Sequence, residues 1–533
     1  MSNDTAQPRR KVIVAEAIAE AGISTLEAEC DVIDLVGADR STVLASLGDA
    51  AALIVRSATQ VDREMIEAGP FLEVIGRAGI GVDNIDLDAA TEHGVLVVNA
   101  PNANTISAAE HTMALLLAQA RRVAEADHSL REGRWDRKLF QGMELHGKTL
   151  GILGLGKIGT LVAQRASSFG MHIIAYDPYI SPERARRLGV VLLPLDAVFA
   201  TADVLTVHLP RTADTENIIN AESIATMKDG VRIINVARGG IVNEADLADA
   251  LLSGKCGGAA VDVFDTEPTT DSPLFGIPQV TVTPHLGAST KEAQDKAGIA
   301  VAHAVAEALT GQLVLSAVNL DLGPTVSAEV KPFLALAEQL GRIFVVHAKG
   351  LPSELVVTAK GHLAHEPVRP LALSALKGAL AGASDGAVSY VNAPLIAAAK
   401  GVTVVEEAQP DVEDYQSVIR LSGFVGGRER TVAGTFMSRK GAVLVGIDDY
   451  AVEVPLTHHM LLVRNDDSPG CIGRVGTYLG DLGHNIADMV VGRSSNGTGA
   501  MMGIALEAVL DAASVEGIRG LDGIAAVRYI ELP

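Results

Sequence analysis

The chain has 533 residues, too many for a single hydrophobic core, and its length predicts three or four domains. With 48% hydrophobic and 20% charged residues it is not a wholly disordered chain. Its net charge of −22 opposes general binding to nucleic-acid phosphates, although a local arginine cluster could still hold an anionic substrate.

Three cysteines, Cys30, Cys256 and Cys471, follow no metal-ligand spacing, so no metal is expected and a reducing compartment is. Glu16 breaks the first apolar run, which therefore does not read as a signal peptide. No uncharged apolar stretch reaches the roughly 18 residues of a membrane helix. The expectation is a cytoplasmic protein with neither membrane nor nucleic acid as partner.

In chain order, β-branched apolar runs at 11–17, 31–37, 51–58, 72–79 and 95–101 alternate with helical patterns. Such continuous runs predict a parallel sheet covered on both faces. Residues 107–130 predict one helix, opened by the capping-box pattern Ser107-Ala108-Ala109-Glu110. At 1.5 Å per residue it spans about 36 Å, enough to pass between domains. A second βα series follows, with strands predicted at 149–153, 172–176, 203–208, 232–236, 258–263 and 279–283. Six strands with intervening helices make a complete doubly wound sheet. Gly323 and Pro324 mark a linker, and 351–449 mixes helix and strand signals. From His458 the predicted order is βαββαβ, the split βαβ or ferredoxin-like unit.

Gly154-Leu155-Gly156-Lys157-Ile158-Gly159 directly follows the strand at 149–153 and opens a helix, the context that gives a glycine fingerprint its meaning. Gly154 permits the tight turn, Gly156 admits a pyrophosphate, and Gly159 lets helix and strand pack closely. The helix N-terminus offers free N–H groups to phosphates. Asp177 ends the next strand, where a carboxylate accepts from ribose hydroxyls and repels a 2′-phosphate, so the expected cofactor is NAD. A turn role before Pro178 is the plainer reading of Asp177.

Only the second series carries this loop. The inner domain is therefore the nucleotide one, and the helix after Ser289 completes the outer one. The fold class is α/β, with two doubly wound parallel-sheet domains of Rossmann or flavodoxin type, then an α+β intervening domain and a ferredoxin-like C-terminal domain. The predicted boundaries are 1–102 with 291–321 (substrate), 103–290 (nucleotide), 322–457 (intervening) and 458–533 (C-terminal).

Three polar residues stand at the ends of later strands: Arg238 after 232–236, Glu267 after 258–263, and His285 after 279–283. Oxidising a hydroxy acid needs a base for the hydroxyl proton, a cation for the carboxylate and a nicotinamide facing the carbon that loses hydride. His285 can be the base, Glu267 its orienting partner, and Arg238 the cation. Taken singly, each has a plain structural reading.

With the glycine loop, the segments 235–240, 262–268 and 284–289 resemble the D-isomer-specific 2-hydroxy-acid dehydrogenase family over roughly the first 320 residues. The resemblance implies catalytic roles for Arg238, Glu267 and His285. It implies nucleotide contacts at Ile80, Gly154, Gly156, Lys157, Ile158, Gly159, Asp177, Leu209, Val236, Ala237, Arg238, Asp262, His285, Gly287 and Ala288.

Arg56 with Ser57, and Arg77 with Gly79, sit at strand ends of the first domain, and Asn104 follows the crossing segment. Two such guanidiniums could bind a phosphorylated substrate; structural ion pairs are the alternative. These stretches resemble the serine-pathway branch of the family in its long, type I form. That implies NAD-dependent oxidation of 3-phosphoglycerate (3-phospho-D-glycerate) to 3-phosphohydroxypyruvate, the first step of L-serine biosynthesis.

In that branch the arm around the only tryptophan, Trp135, reaches across a dimer interface, where Arg137 or Lys138 would add charge to the partner's site. A Trp covering its own domain is the other reading. The last 75 or so residues resemble an ACT domain, which implies L-serine as effector at Asp467 and Asn485. A helix cap at Asp467 and a turn at Asn485 are the plainer readings. ACT and nucleotide domains would each supply a two-fold contact, giving a homotetramer. The resemblance further implies anion regulation in the intervening domain, but Asp448, Asp449 and Glu453 argue against an anion site at 447–454. Two rivals stay open: a glyoxylate or hydroxypyruvate reductase of the same family, and an NAD-sensing regulator without turnover.

Overall fold

The computed structural model describes residues 9–320, 322, 327, 329–383, 388–412, 414–494, 497 and 499–532; the expected linker at Gly323 and Pro324 lies outside them. The β-branched runs of the first series form a five-stranded parallel sheet in the order Cys30–Asp34, Arg10–Val14, Ala52–Val55, Val74–Arg77, Leu96–Asn99. This is the flavodoxin-like order, whose switch point lies between Arg10–Val14 and Ala52–Val55. Helix Lys291–Leu309 returns to this sheet, and Val301 and Val305 join its core. Its contact with helix Glu20–Glu29 is glycine-dependent: a Cβ at Gly22 would stand 2.8 Å from the Gly298 carbonyl oxygen.

The second series forms a seven-stranded parallel sheet, in the order Val280–Val282, Cys256–Val261, Val231–Asn235, Val204–Val207, Thr149–Leu153, His172–Tyr176, Val191–Leu192. Each expected strand forms, and the sequence reading omitted one. Val191–Leu192 is an edge strand of only two residues, too short to show a period.

The single helix expected at 107–130 is two helices, Thr105–Ala120 and Val123–Arg131. The break falls at Arg122, whose φ of 53° is left-handed and whose guanidinium pairs with Glu125 and the Leu139 carbonyl. No glycine or proline announces it. The expected capping box is not formed either: the helix begins at Thr105, and Ser107 Oγ donates to the Asn104 carbonyl at 3.0 Å.

A six-stranded mixed sheet follows, in the order Thr403–Gln409, Glu354–Gly361, Ser417–Val425, Arg428–Met437, Gly441–Ile447, Tyr450–Pro455. Helices Lys331–Ala348 and Arg369–Ala381 supply much of its core. The C-terminal segment has the expected βαββαβ order and a four-stranded antiparallel sheet: Ile486–Arg493, Ala500–Leu506, His459–Asn465, Ile524–Glu531. Its expected separateness is only partial. Met460, Leu462, Met501 and Ile530 lie in one core with Leu336 and Val452, and a Cβ at Gly503 would meet Val452 Cγ1 at 2.7 Å. Among the described residues no helix is long and apolar enough to cross a membrane, and no group of His, Cys, Asp and Glu could hold a metal ion.

Candidate active site

Between the carboxyl ends of the two parallel sheets lies a cleft of about 640 Å³, where doubly wound sheets place ligands. Arg56, Ser57, Arg77, Gly79, Ile80, Asn104, Arg238, Glu267, His285 and Ala288 all line it. Residues more than 200 positions apart in sequence thus meet in one cavity.

His285 Nδ1 lies 2.5 Å from Glu267 Oε2, and the Phe264 amide donates to Glu267 Oε1 at 2.8 Å. Burial pushes the Glu267 carboxyl up, but the bonds from His285 and Phe264 and the imidazole's charge outweigh it and hold its pKa below the usual carboxylate range. His285 itself takes the left-handed φ of 53°, costly for a residue with a Cβ. Its N–H donates to the carbonyls of Asp262 at 2.8 Å and Thr283 at 3.0 Å.

Asp262 explains that turn. Its carboxylate is fully buried and accepts from the Leu286 amide at 2.7 Å, the Gly287 amide at 2.9 Å and Thr283 Oγ1 at 2.5 Å. His111 Nε2 lies 3.1 Å from the same carboxylate. Burial raises its pKa, but these hydrogen bonds, led by His111 and Thr283, win and lower it. Both carboxylate oxygens accept from the chain's own donors, beneath the turn that carries His285. His111, on helix Thr105–Ala120, was missed, since a histidine inside a helical pattern carries no signal of a partner 151 residues away.

The cations converge from both lobes. Arg238 Nε stands 3.6 Å from Asp83 Oδ2, and Asn235 braces its loop by donating to the Arg238 carbonyl at 2.9 Å. Arg77 lies across Gly79, where a Cβ would fall 1.5 Å from Arg77 Nη1; one at Gly81 would fall 2.6 Å from Arg238 Nη2. Burial lowers the Arg77 pKa, as do Arg238 and Arg56, against the opposing pull of Asp83 and Glu16. Among the described residues, Arg77 Nε is buried without a hydrogen-bond partner. Asn104 Oδ1 is likewise buried and unpartnered.

At the glycine loop, Gly154 has φ +92°, and a Cβ there would stand 2.6 Å from the His208 carbonyl oxygen. A Cβ at Gly159 would meet the Gly154 oxygen at 2.1 Å, whereas around Gly156 the space is open. Helix Lys157–Ser168 has Gly156 as N-cap with no side-chain cap bond, which leaves its first amides for phosphate oxygens. This cradle fits a dinucleotide. Asp177 Oδ2 accepts from the Leu155 amide at 2.8 Å and Oδ1 from the Tyr179 amide at 2.9 Å, so it shapes the rim of the groove as well as ending its strand. Leu209 packs on Gly154, Val236 lies against Gly287, and Ala237 donates its amide to Asn235 Oδ1 at 3.0 Å. Lys157 and Ile158 open the helix, with Lys157 bonded to Asn102, just before helix Thr105–Ala120. Half-buried His208, whose Nε2 lies 3.1 Å from Thr206 Oγ1, was also missed; desolvation pushes its pKa down to about 4.

Other expected residues lie elsewhere. Arg137 and Lys138 are exposed and outside this chain's cleft, and Trp135 is 81% exposed, so it does not cover its own domain. Asp467 is exposed and paired with Arg493 at 2.9 Å; Gly470, not Asp467, caps helix Cys471–Asp481. Asn485 is exposed just before strand Ile486–Arg493. The stretch expected to be acidic is neutralised in space. Asp448 accepts from His347 at 2.8 Å and Arg430 at 2.7 Å, and Arg420, Arg428, Arg464 and Arg528 line the adjoining cavity. Burial raises the Asp448 pKa, but these partners carry it down to about 2.

The two lobes and their cleft have the fold of the D-isomer-specific 2-hydroxy-acid dehydrogenases. The family model "D-isomer specific 2-hydroxyacid dehydrogenase, NAD binding domain" matches residues 113–287, and "D-3-phosphoglycerate dehydrogenase intervening domain" matches 329–448. A D-3-phosphoglycerate dehydrogenase of Mycobacterium bovis is 46% identical over 501 residues, covering 93% of this chain and 94% of that one. One from Archaeoglobus fulgidus is 41% identical over 528 residues, covering 98% and 100%. Among solved structures, a D-lactate dehydrogenase from Aquifex aeolicus, complexed with NAD and lactic acid, matches with a TM-score of 0.51 and 29% identity, over 56% of this chain and 96% of that one. The chain belongs to the D-3-phosphoglycerate dehydrogenase family.

Proposed function

We propose that this chain oxidises 3-phosphoglycerate at C2 to 3-phosphohydroxypyruvate with NAD, the first step of L-serine biosynthesis. The observation that carries the reading is the convergence of Arg56, Arg77 and Arg238 on the cleft that holds the His285–Glu267 pair. Three cations suit a substrate bearing both a carboxylate and a phosphate.

His285 takes the C2 hydroxyl proton, while Glu267 holds its Nδ1 and stabilises the imidazolium that forms. Arg238 orients the carboxylate, and Arg56 and Arg77, with Ser57, Gly79 and Asn104, hold the phosphate end. Bound NAD supplies the hydride acceptor. Gly154, Gly156, Gly159, Lys157 and Ile158 would hold its pyrophosphate and Asp177 its ribose; Ile80, Leu209, Val236, Ala237, Gly287 and Ala288 would line its path. Asp262, expected among the nucleotide contacts, would also act through the turn that carries His285.

The reading includes the division into 1–102 with 291–321, 103–290, 322–457 and 458–533, the last an ACT domain. It also includes a cytoplasmic homotetramer with Arg137 or Lys138 reaching the partner's cleft, and feedback by L-serine at Asp467 and Asn485, where serine would displace the Arg493 pair. Calorimetric titration with L-serine tests the last point; no heat of binding would remove it. For the reaction, NADH formation from 3-phosphoglycerate is compared with reduction of glyoxylate and hydroxypyruvate. A higher kcat/KM on the phosphorylated substrate is expected. A preference for the unphosphorylated acids would make the chain a reductase, and nucleotide binding without turnover would make it a sensor.

A further inference from the structure

The loop that carries Arg56 must hold a guanidinium at a fixed place in the cleft. Its backbone is gripped from two sides. Glu16, two residues past the end of strand Arg10–Val14, turns its carboxylate across the sheet's switch point toward the loop. Glu16 Oε1 accepts from the amides of Arg56 at 2.9 Å and Thr59 at 2.9 Å, and Oε2 from Ala58 at 3.3 Å. From the other side, buried Asn84 donates through Nδ2 to the carbonyls of Arg56 at 2.8 Å and Thr59 at 2.7 Å. One residue supplies only acceptors and the other only donors, so the loop's polar groups are matched on both edges.

The second grip also has a reach. Asn84 follows Asp83, the carboxylate beside Arg238, and lies on the segment that runs from Arg77 through Gly79 and Gly81. It therefore ties the loop bearing Arg56 to the loop bearing Arg77, and so sets the separation of the two guanidiniums. Glu16 adds a charge: with Asp83 it opposes the mutual repulsion of Arg77, Arg238 and Arg56. Three unscreened cations in one cleft would otherwise push apart.

We propose that Glu16 and Asn84 are positioning residues for the substrate's anionic end, a clamp that fixes Arg56 relative to Arg77 without touching substrate. The inference rests on the reading of the cleft as a phosphoglycerate site. It predicts a specific kinetic split. Loosening the loop weakens an interaction made equally in ground and transition states, so KM for phosphoglycerate rises while kcat at saturation falls far less.

The test uses the full chain with Glu16→Ala, Glu16→Gln and Asn84→Asp, the last of which faces acceptors toward the two carbonyls. Losing three charge-assisted bonds at Glu16, or two neutral ones at Asn84, should raise KM for phosphoglycerate about tenfold to a hundredfold, leaving KM for NAD within about threefold. Gln keeps one acceptor oxygen, so Glu16→Gln should lie between wild type and Glu16→Ala. Hydrogen–deuterium exchange of the 56–59 amides, a readout independent of turnover, should quicken about tenfold or more in each variant. An unchanged KM with unchanged exchange overturns the clamp. So does a parallel fall in kcat, NAD affinity and melting temperature, which marks a merely structural role. If the wild type does not oxidise phosphoglycerate at all, the proposed function fails instead, and the exchange rates still decide whether the clamp exists.

Discussion

The carboxylate of Asp262 offers the sharpest perturbation, because replacing it with Asn exchanges one heavy atom, an oxygen for a nitrogen, and leaves the volume nearly intact. Its Oδ1 serves Leu286, Thr283 and His111, and its Oδ2 serves Gly287 alone. In the best orientation the new NH2 takes the place of Oδ2 and strands the Gly287 amide, costing about 1–3 kcal/mol, while three charge-assisted bonds become neutral at about 1 kcal/mol each. The total is roughly 4–6 kcal/mol, located under the turn that holds His285 at its left-handed φ. Melting of the nucleotide lobe should drop by on the order of 10 °C. If the turn relaxes instead and His285 shifts by about 1 Å, kcat should fall about 10²-fold. Steady-state turnover, differential scanning calorimetry and amide exchange over 283–289 read both outcomes. Asp262→Asn with wild-type melting and wild-type kcat would refute the argument that this buried carboxylate organises the turn.

Other expectations follow from single contacts. Gly79→Ala places a methyl group where Arg77 Nη1 lies, so the guanidinium must move; KM for phosphoglycerate should rise about tenfold or more, and an unchanged KM would mean that Arg77 does not bind it. His208 has a folded pKa of about 4, below the ordinary histidine value near 6.5. Between those values the unfolded chain binds the extra proton, so acidification through that window costs stability. Urea unfolding across it should show a smaller loss for His208→Asn than for wild type, and equal losses would contradict the burial argument.

The parallel strands were legible because both-face burial writes unbroken β-branched runs, as in Ala52–Val55 and Val204–Val207. The residues lining the cleft were legible because doubly wound sheets put ligands at strand ends, which is where Arg56, Arg77, Arg238 and His285 stand. Features that depend on tertiary partners were not. The break at Arg122 is held by Glu125 and the Leu139 carbonyl, and His111 earns its place only through Asp262. Asp448 looks like part of an acidic run in the sequence, yet in space it lies between His347 and Arg430. Glu16 stood in view as the charge that interrupts an apolar run, but its role needs the switch-point geometry that brings the loop after Ala52–Val55 alongside.

In the proposed reaction His285, held by Glu267 at 2.5 Å, is the base that accepts the C2 hydroxyl proton. The direct measurement is kcat/KM for 3-phosphoglycerate with NAD, for wild type and for His285→Asn shown by circular dichroism to be folded. A loss of about 10²–10⁴-fold is predicted. Turnover of the variant within a few fold of wild type would contradict it.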